Sequence, residues 1–230
     1  MRRDLIIPDI HLDLAKVKAL LASVSCDGVT FLGDYFHSFT DNPRRNGKMA
    51  VWLAARLGEY DFLLGNHDAC HRWPGYRTVE CPGWTPEKQE FIDILRPQDW
   101  EKFRIFRWCQ GFLLSHAGLD ASFAHPVHGF APEYLADLEA KAIECAKGKI
   151  HHPLLGAGRD RGFDQPVGGV TWIDWGSLRP LPGVSQIVGH TPGRLPRTKD
   201  GNNWCIDTVL GHYALIEDGK LKVKPWPKRI

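Results

Sequence analysis

The sequence predicts an α/β protein that opens with a parallel βαβαβ unit, on three observations. Short apolar runs alternate with segments in which apolar residues recur at helical spacing. Each run stops at proline, glycine or aspartate, as a buried strand does where it leaves its sheet. Aspartate, asparagine and histidine then gather at the run ends, the edge where open α/β sheets hold their ligands.

Leu5 to Ile7 is the first run and stops at Pro8-Asp9; behind it Leu12, Leu14, Val17, Leu20 and Leu21 share one helical face. Val29 to Leu32 predicts a second buried strand, Met49 to Leu57 part of a second helix, and Tyr60 to Leu64 a third strand ending in Gly65-Asn66-His67-Asp68. After a Trp- and Pro-rich stretch reaching Trp84, Thr85-Pro86-Glu87 has the chemistry of a helix start: a capping hydroxyl, proline in the first turn, then an acid. Strands are expected around Phe103 to Trp108 and Gly111 to Ser115, a helix over Glu133 to Ala146, and a long Gly-rich loop from His151 to Gly169. Short strands at Gln186 to Val188, Trp204 to Ile206, Tyr213 to Ile216 and Leu221 to Val223 follow, in antiparallel or mixed order.

A chain of 230 residues suits one α/β domain over 1–230. With 43% hydrophobic residues and a net charge of +2, nothing calls for a membrane or a nucleic acid as partner. Cys26, Cys70, Cys81, Cys109, Cys145 and Cys205 form no CxxC pair, so buried, reduced thiols are expected rather than a zinc finger or a disulfide framework. Asp4, Asp9 and His11 interrupt the apolar stretch that a signal peptide would need, and no long apolar segment follows, so a cytoplasmic location is expected.

The chemistry lies at the strand ends. Asp9-Ile10-His11, Gly33-Asp34 and Gly65-Asn66-His67-Asp68 end the first three runs, and FLLSHAG and QIVGHTP end later runs at His116 and His190. Each motif alone is commonplace, but five in order along one sheet edge form a specific pattern. Carboxylate, imidazole and amide oxygen together suit Mn, Fe, Zn or Co better than the all-oxygen cages of Mg and Ca. The donors exceed what one tetrahedral ion needs, and two ions sharing a carboxylate, with a water between them, would use the excess.

Taken together, DIH, GDYFH, GNHD, SHAG, VGHT and CIDT resemble the motifs of the calcineurin-like metallophosphoesterase superfamily, over residues 9 to 208. The resemblance implies a four-layer α/β/β/α sandwich with mixed sheets, the site at the carboxyl ends of the strands, and metal-dependent hydrolysis of a phosphoric ester. It implies two divalent ions, manganese foremost, with iron, zinc, cobalt or nickel as alternatives. By position, Asp9 and His11 would bind the first ion, Asp34 would bridge, and Asn66, His116 and His190 would bind the second. His67 would protonate the leaving oxygen or steady the phosphate, which makes His67 and Asp34 the catalytic candidates and Asn66 and His67 contacts on the substrate side. The substrate would be a phosphorylated small molecule, nucleotide or protein.

The sequence also departs from the family. GHTP lacks the second histidine of the GHxH form found in many phosphodiesterases and nucleases, which brings it closer to the phosphoprotein phosphatase and dinucleoside tetraphosphatase branch and to a phosphomonoester or phosphoanhydride. Ser38 and Leu64 stand where that branch carries arginines, so Arg159 and Arg161 are the candidates to grip phosphate, with Arg72 and Arg194 as further ones. His37 takes the place of the aspartate that commonly orients the GNH histidine. An imidazole supplies no negative charge, so His67 is expected to titrate low or to lean on Asp68. His71 and His212 are the remaining histidines whose proximity matters. The competing readings are a phosphodiesterase or nuclease, disfavoured by the absent GHxH, and a metal-free interaction module on the same fold.

Overall fold

The computed structural model describes residues 2–37 and 41–227. Ser38, one of the two positions at which the sequence lacks an arginine, falls outside them. The chain begins with β1 (Arg3–Ile7), α1 (Leu14–Ser23), β2 (Gly28–Phe31), α2 (Pro43–Ala54) and β3 (Asp61–Leu63), the expected βαβαβ order, with both strand pairs parallel. The helices start where side chains can take the free amides of the first turn. Asp13 accepts the Lys16 N–H at 3.1 Å and Asn42 the Arg45 N–H at 3.0 Å, and Pro43 follows Asn42 in the first turn, where its missing N–H costs nothing.

Two features of the next stretch were not visible in the sequence. The GNHD motif opens a helix, α3 (Asn66–Arg72), of only seven residues, too short to show periodicity. Helices α4 (Pro86–Ile92), capped by Thr85 as expected, and α5 (Pro97–Trp100) lead to β4 (Phe103–Arg104) and β5 (Arg107–Cys109). The run from Phe103 to Trp108, read as one strand, is thus two. Ile105 and Phe106 carry the chain between sheets while staying buried, so hydropathy shows no break. Then come β6 (Phe112–Leu114), α6 (Pro132–Lys147), β7 (Ser185–Val188), β8 (Arg197–Lys199), β9 (Asn203–Cys205), β10 (His212–Glu217) and β11 (Lys220–Pro225). The polar RTK of β8 gave no strand signal.

The strands form two mixed sheets, ordered β11-β10-β1-β2-β3-β4 and β5-β6-β7-β9-β8. Ile6, Leu32, Leu63, Leu114, Ile187, Ile206, Ala214 and Ile216 fill the space between them. On the other face of the first sheet, Leu5, Ile7, Val29, Phe31 and Phe62 pack with Val17 and Leu20 of α1 and Met49, Trp52 and Leu53 of α2. The same cluster continues past Ile105 and Phe106 to Leu113 and to Leu135, Ala142 and Ala146 of α6. Val188 and Cys205 of the second sheet pack beneath Ile173, Trp175 and Leu178. Because side chains alternate across a strand, β6 sends Leu114 between the sheets and Leu113 outward. In this α/β/β/α arrangement β1, β2 and β3 are parallel in one sheet and β6, β7 and β9 in the other, and candidate donors follow β1, β2, β3, β6 and β7.

Candidate metal centre

The six candidate ligands converge. Donor atoms of Asp9, His11 and Asp34 lie within 4.8 Å of one another, as do those of Asp34, His116 and His190, so Asp34 is shared by the two groups. The loops that deliver them bend sharply: φ is positive at His11 (37°), Asp34 (53°) and His190 (65°), a region that side chains other than glycine enter at a cost. Two glycines permit the close approach. A Cβ at Gly65 would run into the Asp34 carboxylate and backbone, and one at Gly189 into the Asp9 carboxylate.

Asp68 holds this crossing in place. Its carboxylate accepts the N–H groups of Asp34 (2.7 Å), Tyr35 (2.9 Å) and Gly65 (2.9 Å), which ties the second strand end to the third. Asp68 is thus hydrogen-bonded to the backbone, and its charge also helps to raise the pKa of His67. Asp34 in turn accepts the His67 backbone N–H at 3.0 Å, and the His190 N–H reaches both oxygens of Asp9 at 3.0 Å.

The orientation of the donors fits divalent cations. His116 Nδ1 donates to the Leu32 carbonyl at 3.0 Å, which leaves its Nε2 lone pair facing Asn66 Oδ1 at 3.1 Å and Asp34 Oδ2 at 3.5 Å. His11 Nδ1 donates to the His37 carbonyl at 3.1 Å, leaving Nε2 toward Asp34 Oδ2 at 3.8 Å. Asn66 Nδ2 donates to Cys81 Sγ at 3.4 Å and so fixes Oδ1 toward His116 and His190. Lone pairs thus face lone pairs, as around a cation.

Charge tells the same story. Burial, with repulsion from Asp207 and Asp34, pushes the Asp9 carboxyl well above the ordinary range. Burial also acts on Asp34, but the imidazoles of His116, His67, His11 and His190 outweigh it and hold its carboxyl well below. Burial lowers the pKa of His116 and His190 and so favours the neutral form in which histidine binds a metal. Asp207, buried at the end of β9 within CIDT, is a carboxylate of this cluster that the sequence reading did not assign. Its signal was the same as for Asp9, an acid two residues beyond the end of a strand.

His67 sits beside the ligands and behind it lies a second cluster. Its Nδ1 is 2.8 Å from His37 Nδ1 and 3.3 Å from Cys81 Sγ. Burial works against a charge on His67, but Asp34 and Cys81 outweigh it and push its pKa up to about 9. The expected low titration is therefore reversed, because Asp34 foremost, then Cys81 and Asp68, supply the negative charge that His37 lacks. A hydrogen bond from Cys70, against the effect of burial, and the imidazoles of His37 and His67 pull Cys81 down to about 3. Cys81 and Cys70, read from the sequence as plain buried thiols, are part of the site. No short motif marks them, since Cys81 arrives from the Trp- and Pro-rich stretch. His71 is also close, with Nε2 2.7 Å from His37 Nε2, whereas His212 bonds Thr208 Oγ1 at 2.9 Å.

Of the arginines, Arg161 reaches the centre: its Nη2 lies 3.1 Å from His190 Nε2 while Asp174 holds the guanidinium through two bonds of 3.0 and 2.6 Å. Arg159 is exposed, and among the described residues its side chain makes no hydrogen bond or ion pair with a candidate ligand. Arg72 lies over the Trp73 ring and donates to the Phe103 carbonyl, and Arg194 is exposed.

Two facing mixed sheets thus carry, at one edge, two groups of side chains that could hold metal ions. Residues 3–194 match the calcineurin-like phosphoesterase family, and the chain belongs to it. It is accordingly a metal-dependent phosphoric ester hydrolase. Among solved structures, the fold is similar to a cold-active protein-tyrosine phosphatase of a psychrophilic Shewanella species, at 14% identity and a TM-score of 0.59, covering 97% of this chain and 80% of that one. It is similar also to a protein serine/threonine phosphatase from Saccharomyces cerevisiae, at 10% identity and a TM-score of 0.59, covering 100% and 81%. No curated protein matches the sequence. None of the helices among the described residues is long and apolar enough to cross a membrane.

Proposed function

We propose that this protein is a phosphatase that removes a terminal phosphoryl group from a phosphomonoester or phosphoanhydride at a dinuclear centre. Asp9, His11 and Asp34 would hold one ion, and Asp34, Asn66, His116 and His190 the other. The single observation that carries the reading is the shared Asp34 between two groups of converging lone pairs. Bound there, the two cations supply neutralisation of phosphate charge and an acidified water for in-line attack, and manganese suits the mixed donors.

The chain's own residues do the rest. Arg161, already aimed at the centre by Asp174, grips phosphate oxygens in place of the arginines absent at Ser38 and Leu64. If His190 held an ion through Nδ1, its ring proton would sit on Nε2, and Arg161 Nη2 would be free of that nitrogen to meet phosphate. His67, protonated through neutral pH, gives its proton to the leaving oxygen. A cavity of about 440 Å³ opens on the Cys81 side, lined by Cys70, Trp73, Tyr76 and Trp84 among others, and gives the leaving group an aromatic wall.

The test is turnover with added Mn²⁺ on p-nitrophenyl phosphate, bis-p-nitrophenyl phosphate and diadenosine tetraphosphate, alongside a metal count. Monoester or anhydride hydrolysis that EDTA abolishes, with two ions per chain lost in Asp34→Asn, is the expected result. Preference for the diester, or an Asp34→Asn protein with two ions and full turnover, would overturn it.

A further inference from the structure

His67 and His71 are four residues apart on α3, so their rings project from the same helix face one turn apart. The ring of His37 is inserted between them, with ring centroids 5.0 Å from His67 and 4.9 Å from His71, both edge to face. His37 is held there by a left-handed backbone (φ 62°) and by its N–H donating to Asn46 Oδ1 at 3.2 Å. The result is a row of four side chains joined by three short contacts. His67 Nδ1 to His37 Nδ1 is 2.8 Å, His37 Nε2 to His71 Nε2 is 2.7 Å, and His71 Nδ1 to Gln89 Oε1 is 2.7 Å.

The row has one consistent set of protons for neutral rings, and Gln89 sets it. The Gln89 amide cannot turn over, because its Nε2 donates to the His71 carbonyl at 3.2 Å and to Asp93 at 2.8 Å, while Trp84 Nε1 donates to Oε1 at 2.9 Å. Oε1 therefore accepts from His71 Nδ1. A neutral His71 then has a lone pair at Nε2, so His37 must donate from Nε2 and accept at Nδ1. His67 must then donate from Nδ1, which also suits the sulfur of Cys81 at 3.3 Å.

We propose that His37, His71, Gln89 and Trp84 form a relay of positioning residues that fixes the proton of His67 on Nδ1 and reserves Nε2 for the substrate. This deepens the reading of His67 as the group that serves the leaving oxygen. A second proton taken up by His67 can go only to Nε2, so the proton it gives away leaves from that nitrogen. An aspartate achieves this with one side chain; here the acceptor at the end of the row does it across two imidazoles. Gln89 touches no reacting atom and acts only through His71 and His37, and Trp84 acts on the row through Gln89.

The experiment is long-range ¹H–¹⁵N correlation of the histidine rings in the Zn²⁺-loaded protein, read together with kcat and KM. The expected tautomers are Nδ1–H at His71 and Nε2–H at His37. In Gln89→Leu the Nδ1–H fraction of His71 falls, His37 becomes a mixture, and kcat drops about 10-fold with KM and metal content unchanged, the size typical of losing an orienting partner. Gln89→Glu, which keeps an acceptor, restores both tautomers. Should Gln89→Leu be unfolded, Trp84→Phe, which loosens Oε1 alone, is expected to shift the same signals in the same direction. Nδ1–H at His37 in the wild type, tautomers unmoved in both variants, or a third metal ion lost in Cys81→Ser would overturn the relay. The tautomers are read without turnover, so an inactive protein with the expected signals would sink the phosphatase reading and leave the relay standing.

Discussion

Cys81 is the residue at which this protein differs most from what its motifs suggest. Its sulfur is 3.3 Å from His67 Nδ1 and, with Asp34, holds that ring charged at neutral pH. A raised histidine pKa means that the charged form is kept up to the folded pKa and lost above it. Turnover that needs the proton must therefore fall as pH rises toward 9, and bound cations, which draw on Asp34, bring this basic limb below that value. In Cys81→Ser the limb of kcat/KM is expected to move to still lower pH, with metal content unchanged; a limb that stays put would show that the sulfur contributes nothing. His67→Ala is expected to lower kcat by roughly 10²- to 10⁴-fold, the usual worth of general acid catalysis, with two ions still bound in a metal count.

At the scale of elements, the centre depends on how closely the second and third strand ends approach. Asp68, in the first turn of α3, collects the amides of Asp34, Tyr35 and Gly65, so one carboxylate locks a ligand loop to the helix that carries Asn66 and His67. Gly65 is what lets them meet. Gly65→Ala would force a Cβ against the Asp34 carboxylate and backbone, and overpacking of this kind costs about 1–3 kcal/mol. Urea unfolding of the metal-free protein should show that loss, and titration with Mn²⁺ should show weakened binding. A wild-type midpoint and affinity would mean that the loops part at no cost. Helix α3 itself was hidden because seven residues show no period, and the crossing at Ile105-Phe106 was hidden because both residues are buried on either side of the change of sheet.

For the whole molecule, the cluster of acids makes stability depend on pH and on metal together. The raised pKa of Asp9 means that the metal-free fold holds a proton there which the unfolded chain has already released, and this contribution to stability is lost as pH rises through the folded pKa. Cations take over the role of that proton, and binding them releases it, so affinity grows with pH. The rise in Tm on adding Mn²⁺ to EDTA-treated protein is expected to widen from about pH 5 to about pH 8, the stabilisation following the ratio of free ion to Kd. A pH-independent gain would show that Asp9 is ionised without the metal and does not face the ion.

The opening βαβαβ order, the run-end positions of Asp9, His11, Asp34, Asn66, His116 and His190, and the family were legible in the sequence, because alternation and strand ends are local patterns in the chain. The tertiary structure alone decided which groups stand behind His67. Cys81 and Gln89 approach it from loops and helices 14 or more residues away in sequence, where no periodicity links them to the motif. It also separated Arg161, held by Asp174 at the centre, from Arg159, which faces solvent two residues away. Neighbouring side chains on a short turn point in different directions, and only the packing of the loop against the sheet edge selects the one that reaches His190.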